Sequence, residues 1–193
     1  MNLKVNEIFY SLQGEGARTG EPSVFIRLSG CNLTCSFCDT DFSLGRTMTA
    51  EEILDEISSF GCNRIIWTGG EPTLQLTNEI VSFFKEKGYW QSIETNGTHK
   101  VPSGIDYIAC SPKQDFEKIR ELIPEVNELR FPMQAGDPLP DISLLPKAEK
   151  YLLSPIFNGN ALVYENVAYC VELIKAHPIW GLSLQMHKLI GIR

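Results

Sequence analysis

The run Val24-Phe25-Ile26-Arg27-Leu28-Ser29-Gly30-Cys31-Asn32-Leu33-Thr34-Cys35-Ser36-Phe37-Cys38-Asp39-Thr40 is where the fold and the chemistry are decided. Val24–Leu28 is apolar apart from Arg27 and reads as a buried strand. Ser29-Gly30 breaks it, and Cys31, Cys35 and Cys38 follow in a C-x3-C-x2-C arrangement. A loop this short can bring three thiolates onto one compact centre. In an iron–sulfur cubane each iron usually takes one cysteine. Three cysteines therefore leave one iron open to a small molecule that binds through an amine and a carboxylate. Two other readings of the same residues exist. Three thiolates and a histidine could hold zinc, or the thiols could simply pack together. Zinc pairs usually come as two C-x2-C units, and the chain has no second one.

Outward from this loop, the remaining three of six cysteines, Cys62, Cys110 and Cys170, are scattered. An even count invites a disulfide framework, but that belongs to short secreted chains. The N-terminus Met1–Gly16 shows no apolar segment followed by a small-residue cleavage site. No stretch is long and apolar enough to span a membrane. A cytoplasmic protein with reduced thiols is expected, and clustered thiols there point to metal. The formal net charge of -7 disfavours general binding to nucleic acid or anionic membranes. With 193 residues, 43% hydrophobic and 21% charged, one domain over residues 1–193 is expected.

Short apolar runs bounded by Gly, Pro, Asn or Ser read as strands at Ser23–Leu28, Arg64–Thr68, Gln91–Thr95, Tyr107–Cys110, Val126–Phe131, Tyr151–Leu153 and Leu182–Gln185. Helical patterns lie between several of them. Thr49 and Glu52 form a capping box, followed by an apolar stripe of Ile53, Leu54, Ile57 and Phe60 and a stop at Gly61. A second helix runs from about Thr77 to Lys87, with Ile80, Val81 and Phe84 inward. A third spans Tyr164–Ala176, using Tyr164, Val167, Ala168, Val171 and Ile174, and stops before His177-Pro178. The Pro- and Asp-rich stretch Phe131–Pro146 reads as a loop or lid. Alternating strands and helices predict an α/β fold with a parallel sheet. The length suits a partial, open TIM-like barrel of about six parallel strands with few flanking helices.

Two further strings sit at strand ends, where ligands gather in such sheets. Thr68-Gly69-Gly70-Glu71-Pro72 is either a plain turn or a place where glycines let backbone approach a ligand. Ser111-Pro112-Lys113 is either a surface turn with a solvated lysine or a ligand contact.

The cysteine spacing, with the Gly-Gly-Glu-Pro turn after the next strand, resembles the radical S-adenosylmethionine (SAM) superfamily. Other strings narrow the likeness to the 7-carboxy-7-deazaguanine synthases: Phe9-Tyr10-Ser11-Leu12-Gln13-Gly14-Glu15-Gly16, Cys38-Asp39-Thr40, Glu94-Thr95-Asn96-Gly97 and Gln185-Met186-His187-Lys188. Some of these strings also resemble glycyl-radical activating enzymes, the alternative family. The first resemblance implies conversion of 6-carboxy-5,6,7,8-tetrahydropterin to 7-carboxy-7-deazaguanine with loss of ammonia. It implies a [4Fe–4S] cluster on Cys31, Cys35 and Cys38, one-electron cleavage of SAM, and hydrogen abstraction from C6 with later return of that hydrogen. SAM would contact Phe37, Cys38, Asp39, Gly69, Gly70, Glu71, Ser111, Pro112 and Lys113. The pterin would contact Leu12, Gln13, Gly14, Arg27, Thr68, Glu94 and the C-terminal Arg193. Thr40 would ligate Mg²⁺, which takes few protein ligands. An electron donor such as flavodoxin and a homodimer complete the expectation. His187, a lone histidine near the terminus, has no role assigned.

Residues alone give several of these positions ordinary alternatives. Arg27 on an apolar strand is either a paired core charge or a carboxylate clamp. Thr40 is a helix cap or turn residue by itself. Glu94 at a strand end could instead cap a turn, and the terminus at Arg193 would by default be frayed.

Overall fold

Period-two alternation along the strands gives a single sheet two chemically different faces. A computed structural model describes residues 2–36, 38, 41 and 44–193. Among the described residues, nine strands form one sheet in the order β3-β1-β2-β4-β5-β6-β7-β8-β9. They are β1 (Asn2–Leu12), β2 (Pro22–Leu28), β3 (Arg46–Thr49), β4 (Arg64–Gly69), β5 (Trp90–Thr95), β6 (Tyr107–Cys110), β7 (Glu125–Met133), β8 (Lys147–Pro155) and β9 (Trp180–Leu182). From β2 through β9 the pairings are parallel, whereas β1 pairs antiparallel with both β2 and β3. The sheet is open: β3 and β9 are its two edges.

The fold is the expected partial barrel, with more strands than the about six expected from length. The additions are β1 and β3. Both are rich in polar residues (Lys4, Asn6, Glu7 and Ser11; Arg46, Thr47 and Thr49) and lack the continuous apolar signature of buried parallel strands. β9 lies earlier than its apolar run suggested. Its pairing with β8 runs from Trp180 to Leu182, and Ser183–Gln185 lead away into a short helix.

One face of the sheet is covered by helices α1 (Ala50–Ser58), α2 (Asn78–Glu86), α3 (Phe116–Leu122) and α4 (Tyr164–Ala176). The Thr49–Glu52 capping box starts α1, and Ile53 and Ile57 are buried beneath it. Thr77 caps α2, whose Ile80, Val81 and Phe84 are buried. These meet Val24, Ile26, Ile65, Trp67 and Ile93 in one core, while α3 and α4 cover β6–β9 in a second. Burying a side chain such as Phe84 or Ile57 contributes about 1.5–3 kcal/mol. α4 has the expected ends but a different inner face. Asn166 and Cys170 are its buried residues, with Tyr169, Leu173 and Ile174 packed alongside, while Tyr164 is 79% exposed and Val171 36%. Asn166 is drawn in because it bonds to Ile156 O and Ala135 N, so a polar anchor sets the helix rotation. Among the described residues no helix is long and apolar enough to cross a membrane.

The other face carries the alternate residues of the same strands: Phe25 and Arg27, Ile66 and Thr68, Ser92 and Glu94, Tyr107 and Ala109, Glu128 and Arg130, Leu152 and Ser154. Parallel register aligns them, with Arg27 beside Thr68, Ala109 beside Glu128, and Arg130 beside Leu152. This face becomes more polar toward the strand C-termini, where the loops enclose a chamber.

Candidate active site

The chamber measures about 1060 Å³. This is at the upper end of the about 300–1,000 Å³ that small-molecule sites commonly occupy. Cys31, Cys35 and Cys38 line one wall, and Gln13, Thr68, Glu94 and Arg130 line another part. The strands explain this convergence. Leu28 ends β2 just before the cysteine loop, Thr68 and Gly69 end β4, and Glu94 and Thr95 end β5.

The cysteine loop is held by backbone. Gly70 N donates to Leu28 O at 3.1 Å and Glu71 N to Gly30 O at 2.9 Å, on the residue before Cys31. A Cβ on Gly70 would lie 1.9 Å from Gly30 O, and one on Gly69 would lie 2.1 Å from Leu28 O. The double glycine is therefore required for the β4 turn to dock on the cysteine loop. Glu71 is fully buried. Its carboxylate accepts from Thr73 N (3.0 Å), Thr73 Oγ1 (2.5 Å), Thr95 Oγ1 (2.7 Å) and Asn96 N (2.7 Å). Glu71 thus ties the β4 turn to the end of β5 and is not part of the chamber wall. Asn96 continues the tie: its Nδ2 donates to Asn32 Oδ1 inside the cysteine loop at 3.0 Å.

Burial pushes the Cys31 thiol above its ordinary value. The Leu33 N–H opposes this, while Glu71, Cys35 and Cys38 add repulsion. Three thiolates here need positive charge among them. Lys113 is largely buried, and that burial lowers its ammonium to about 8; Cys35 pulls the other way. Lys113 contacts the hydroxyl of Ser111, which itself donates to Arg130 O at 2.7 Å. Ser111 and Lys113 line the chamber, whereas Pro112 is buried and does not.

Another part of the lining is a charged network. Glu94 accepts from Gln13 Nε2 at 3.0 Å, Thr68 Oγ1 at 3.2 Å and Arg130 Nη2 at 2.9 Å. Burial works against ionisation of Glu94, but the Arg130 guanidinium and these donors outweigh it and hold its carboxyl below the usual range. Glu94 therefore belongs to a network and is not a turn cap. Arg130 bridges three carboxylates: Glu94, Glu15 at 2.8 Å and Glu128 at 2.8 Å. Glu128 also accepts from Ala17 N at 2.8 Å and Tyr107 Oη at 3.0 Å. Gln185 Nε2 donates to Glu15 at 2.9 Å.

At the third side, Phe9 and Phe25 stack with centroids 4.8 Å apart. Arg27 lines the chamber beside them, with Nε donating to Glu7 at 2.7 Å. The Arg193 guanidinium also contacts Glu7, and Ser11 Oγ donates to Arg193 O at 2.7 Å. The terminus is thus anchored at the rim. Leu12, Gly14 and His187 line the wall too. A Cβ on Gly14 would meet His187 Nδ1 at 2.3 Å, so this glycine is required for the helix α5 (Met186–Ile190) to close over the loop. Phe37, Asp39 and Thr40 lie outside the described residues.

Residues 25–189 match the radical SAM superfamily. The chain is 45% identical over 193 residues to the 7-carboxy-7-deazaguanine synthase of Bacteroides thetaiotaomicron, covering 100% of both chains. It is 43% identical to the synthase of Haemophilus influenzae, covering 99% of this chain and 94% of that one. The chain belongs to the 7-carboxy-7-deazaguanine synthase family of radical SAM enzymes. The crystal structure of QueE from Escherichia coli is similar throughout, with a TM-score of 0.75, 26% identity, and coverage of 97% of this chain and 95% of that chain.

Membership in the radical SAM superfamily implies a [4Fe–4S] cluster and SAM. The residues fit. Three thiols face one chamber, and each can serve a separate iron of a cubane. Gly69, Gly70, Ser111 and Lys113 line the same chamber as these thiols.

Sequence reasoning did not find Arg130, Glu15 or Glu128. A signal existed: Glu128 and Arg130 stand two apart in the apolar strand Glu125–Met133, hence on one face. The logic that singled out Arg27 on β2 applies to them equally.

Proposed function

We propose that the chain converts 6-carboxy-5,6,7,8-tetrahydropterin to 7-carboxy-7-deazaguanine with loss of ammonia, in 7-deazapurine and queuosine biosynthesis. The observation that carries this is the full-length likeness to 7-carboxy-7-deazaguanine synthases, joined to one chamber lined both by the three thiols and by the Gln13–Glu94–Arg130 network. When bound and reduced, the cluster and SAM supply a 5′-deoxyadenosyl radical that takes hydrogen from the substrate.

The chain's own residues bind and orient. Cys31, Cys35 and Cys38 hold the cluster. Gly69, Gly70, Ser111 and Lys113 border SAM, with Phe37 and Asp39 contributing from the cysteine loop. Glu71 and Pro112, away from the chamber wall, act by shaping the turns. Leu12, Gln13 and Gly14 face the pterin through amide and backbone groups. Thr68 and Glu94 continue that polar edge, and an ionised Glu94 accepts from the ring's amino and amide donors. Arg27 receives the substrate carboxylate, and the Arg193 terminus closes the rim. Thr40 supplies one oxygen to Mg²⁺, which otherwise uses substrate and water oxygens.

The single sheet running from Asn2 to Leu182 supports treating residues 1–193 as one domain. A homodimer is favoured by exposed apolar side chains near the β9 edge, Ile179 at 56% and Leu182 at 40%. A cytoplasmic location with a flavodoxin-type donor suits reduced thiols.

Anaerobically reconstituted protein, given SAM, dithionite, Mg²⁺ and the carboxylated tetrahydropterin, should release 7-carboxy-7-deazaguanine and ammonia in equal amounts. An intact cluster that cleaves SAM but leaves the pterin untouched would reject the proposal.

A further inference from the structure

Arg130 is nearly sealed, with 7% of its side chain exposed, while its partners Glu94 and Glu15 keep 26% and 25% and line the chamber. The guanidinium cannot itself meet a ligand broadside. It reaches Glu94 from β7 across β6, a span of about two strand spacings of ~4.8 Å. Ala109, on β6 and on the same face, is small enough to let it pass. All three guanidinium nitrogens are used, on Glu15, Glu94 and Glu128, so its orientation is fixed from three elements. Only a planar fork can serve three carboxylates in this way. Its backbone carbonyl receives Ser111, joining the pterin-side network to the Ser111–Lys113 turn.

We infer that Arg130 is a positioning residue for substrate recognition, holding Glu94 in one orientation and in the acceptor state that the pterin's donor edge requires. The inference rests on the proposed contact between Glu94 and the pterin. Glu94 faces Arg130, Gln13 and Thr68; Glu15, Glu128 and Lys113 are the other charges close to Arg130. With Arg130 present, Glu94 stays ionised well below neutral pH, so substrate affinity is insensitive to Glu94 across the neutral range. Without that cation, the burial that Arg130 now outweighs raises the Glu94 pKa. The protonated carboxyl then donates where it should accept, and affinity falls as pH falls.

The test is the Kd of the carboxylated tetrahydropterin for cluster-reconstituted protein with SAM and no reductant, from about pH 6 to pH 9. Wild type should lose no affinity toward the acid end. Arg130→Gln should bind at least about tenfold more weakly at the acid end and recover toward alkaline pH, one pKa unit being tenfold. Arg130→Lys, which keeps the charge, should stay flat with weaker binding. In a Glu94→Gln background the Arg130 substitutions should add little, as coupled neighbours do. If Arg130→Gln does not fold, the Lys variant and its double mutant carry the same test. Additive losses, or a pH-independent loss in Arg130→Gln, would overturn the inference and leave Arg130 merely structural. If Glu94→Gln alone leaves Kd unchanged, the pterin contact itself is wrong and the inference goes with it. If Glu94→Gln weakens binding while both Arg130 variants bind normally, only the inference fails.

Discussion

The same strands present one face to helices and the other to the chamber, and the two faces are built by different physics. On the helix side, Ile26, Trp67 and Ile93 lie in neighbouring strands with Phe84 and Ile57 packed over them. Polar atoms there are few and paired: Trp67 Nε1 donates to Gln91, whose amide donates to Val81 O. On the chamber side, Arg27, Thr68, Glu94, Glu128 and Arg130 occupy the alternate positions: Arg130 pairs with Glu94 and Glu128, Thr68 donates to Glu94, and Arg27 pairs with Glu7. The apolar face supplies stability by area. The polar face spends burial on orientation, since unpaired charges there would be costly. One sheet thus separates holding the fold from shaping the chamber, residue by residue.

Cys35→Ala should show the largest separation. Anaerobic iron and sulfide content should collapse and turnover vanish, while the far-UV circular dichroism of the sheet persists. Loss of the sheet signal would mean that the cysteine loop also holds the fold. Phe84→Ala, on the opposite face, should cost about 3–5 kcal/mol of stability. Denaturant unfolding measures this, and kcat of the folded protein should stay near wild type; a fall in kcat would break the division between faces.

Gly70→Ala falls between the two. Its Cβ would collide with Gly30 O, so the cysteine loop must move. Overpacking of this kind costs about 1–3 kcal/mol, and iron content after reconstitution should drop with it. Full iron occupancy with unchanged stability would show that the turn does not set the loop. Thr49→Ala removes the α1 cap and should cost about 1 kcal/mol with no change in turnover. Thermal unfolding and a rate assay together check that smallest effect.

The helix-covered face was legible in the sequence because its rule is local. Periodicity and caps identified α1 and α2 nearly to the residue, and Thr49 with Glu52 forms the box that their spacing implies. The cysteine spacing likewise pointed to the radical SAM superfamily. Where a polar contact overrode periodicity, the sequence was silent: Asn166 turns α4 away from its apolar stripe. β1 was hidden because its antiparallel pairing tolerates polar residues on one side. Within the site, Glu71 and Gly70 had visible motifs, but their partners, Thr95, Asn96 and Gly30, come from other strand ends. Arg130 was missed because its meaning depends on Glu15, Glu94 and Glu128 meeting across three elements.

One chamber should hold both the SAM-bearing cluster and the pterin, close enough for hydrogen to pass between them. Substrate deuterated at C6 tests it most directly under single-turnover conditions. Deuterium should be found in 5′-deoxyadenosine trapped before turnover completes and at the 5′ carbon of recovered SAM, while the carboxyl-bearing ring carbon of the aromatic product keeps no hydrogen. Deuterium that stays out of 5′-deoxyadenosine while product still forms would contradict the account.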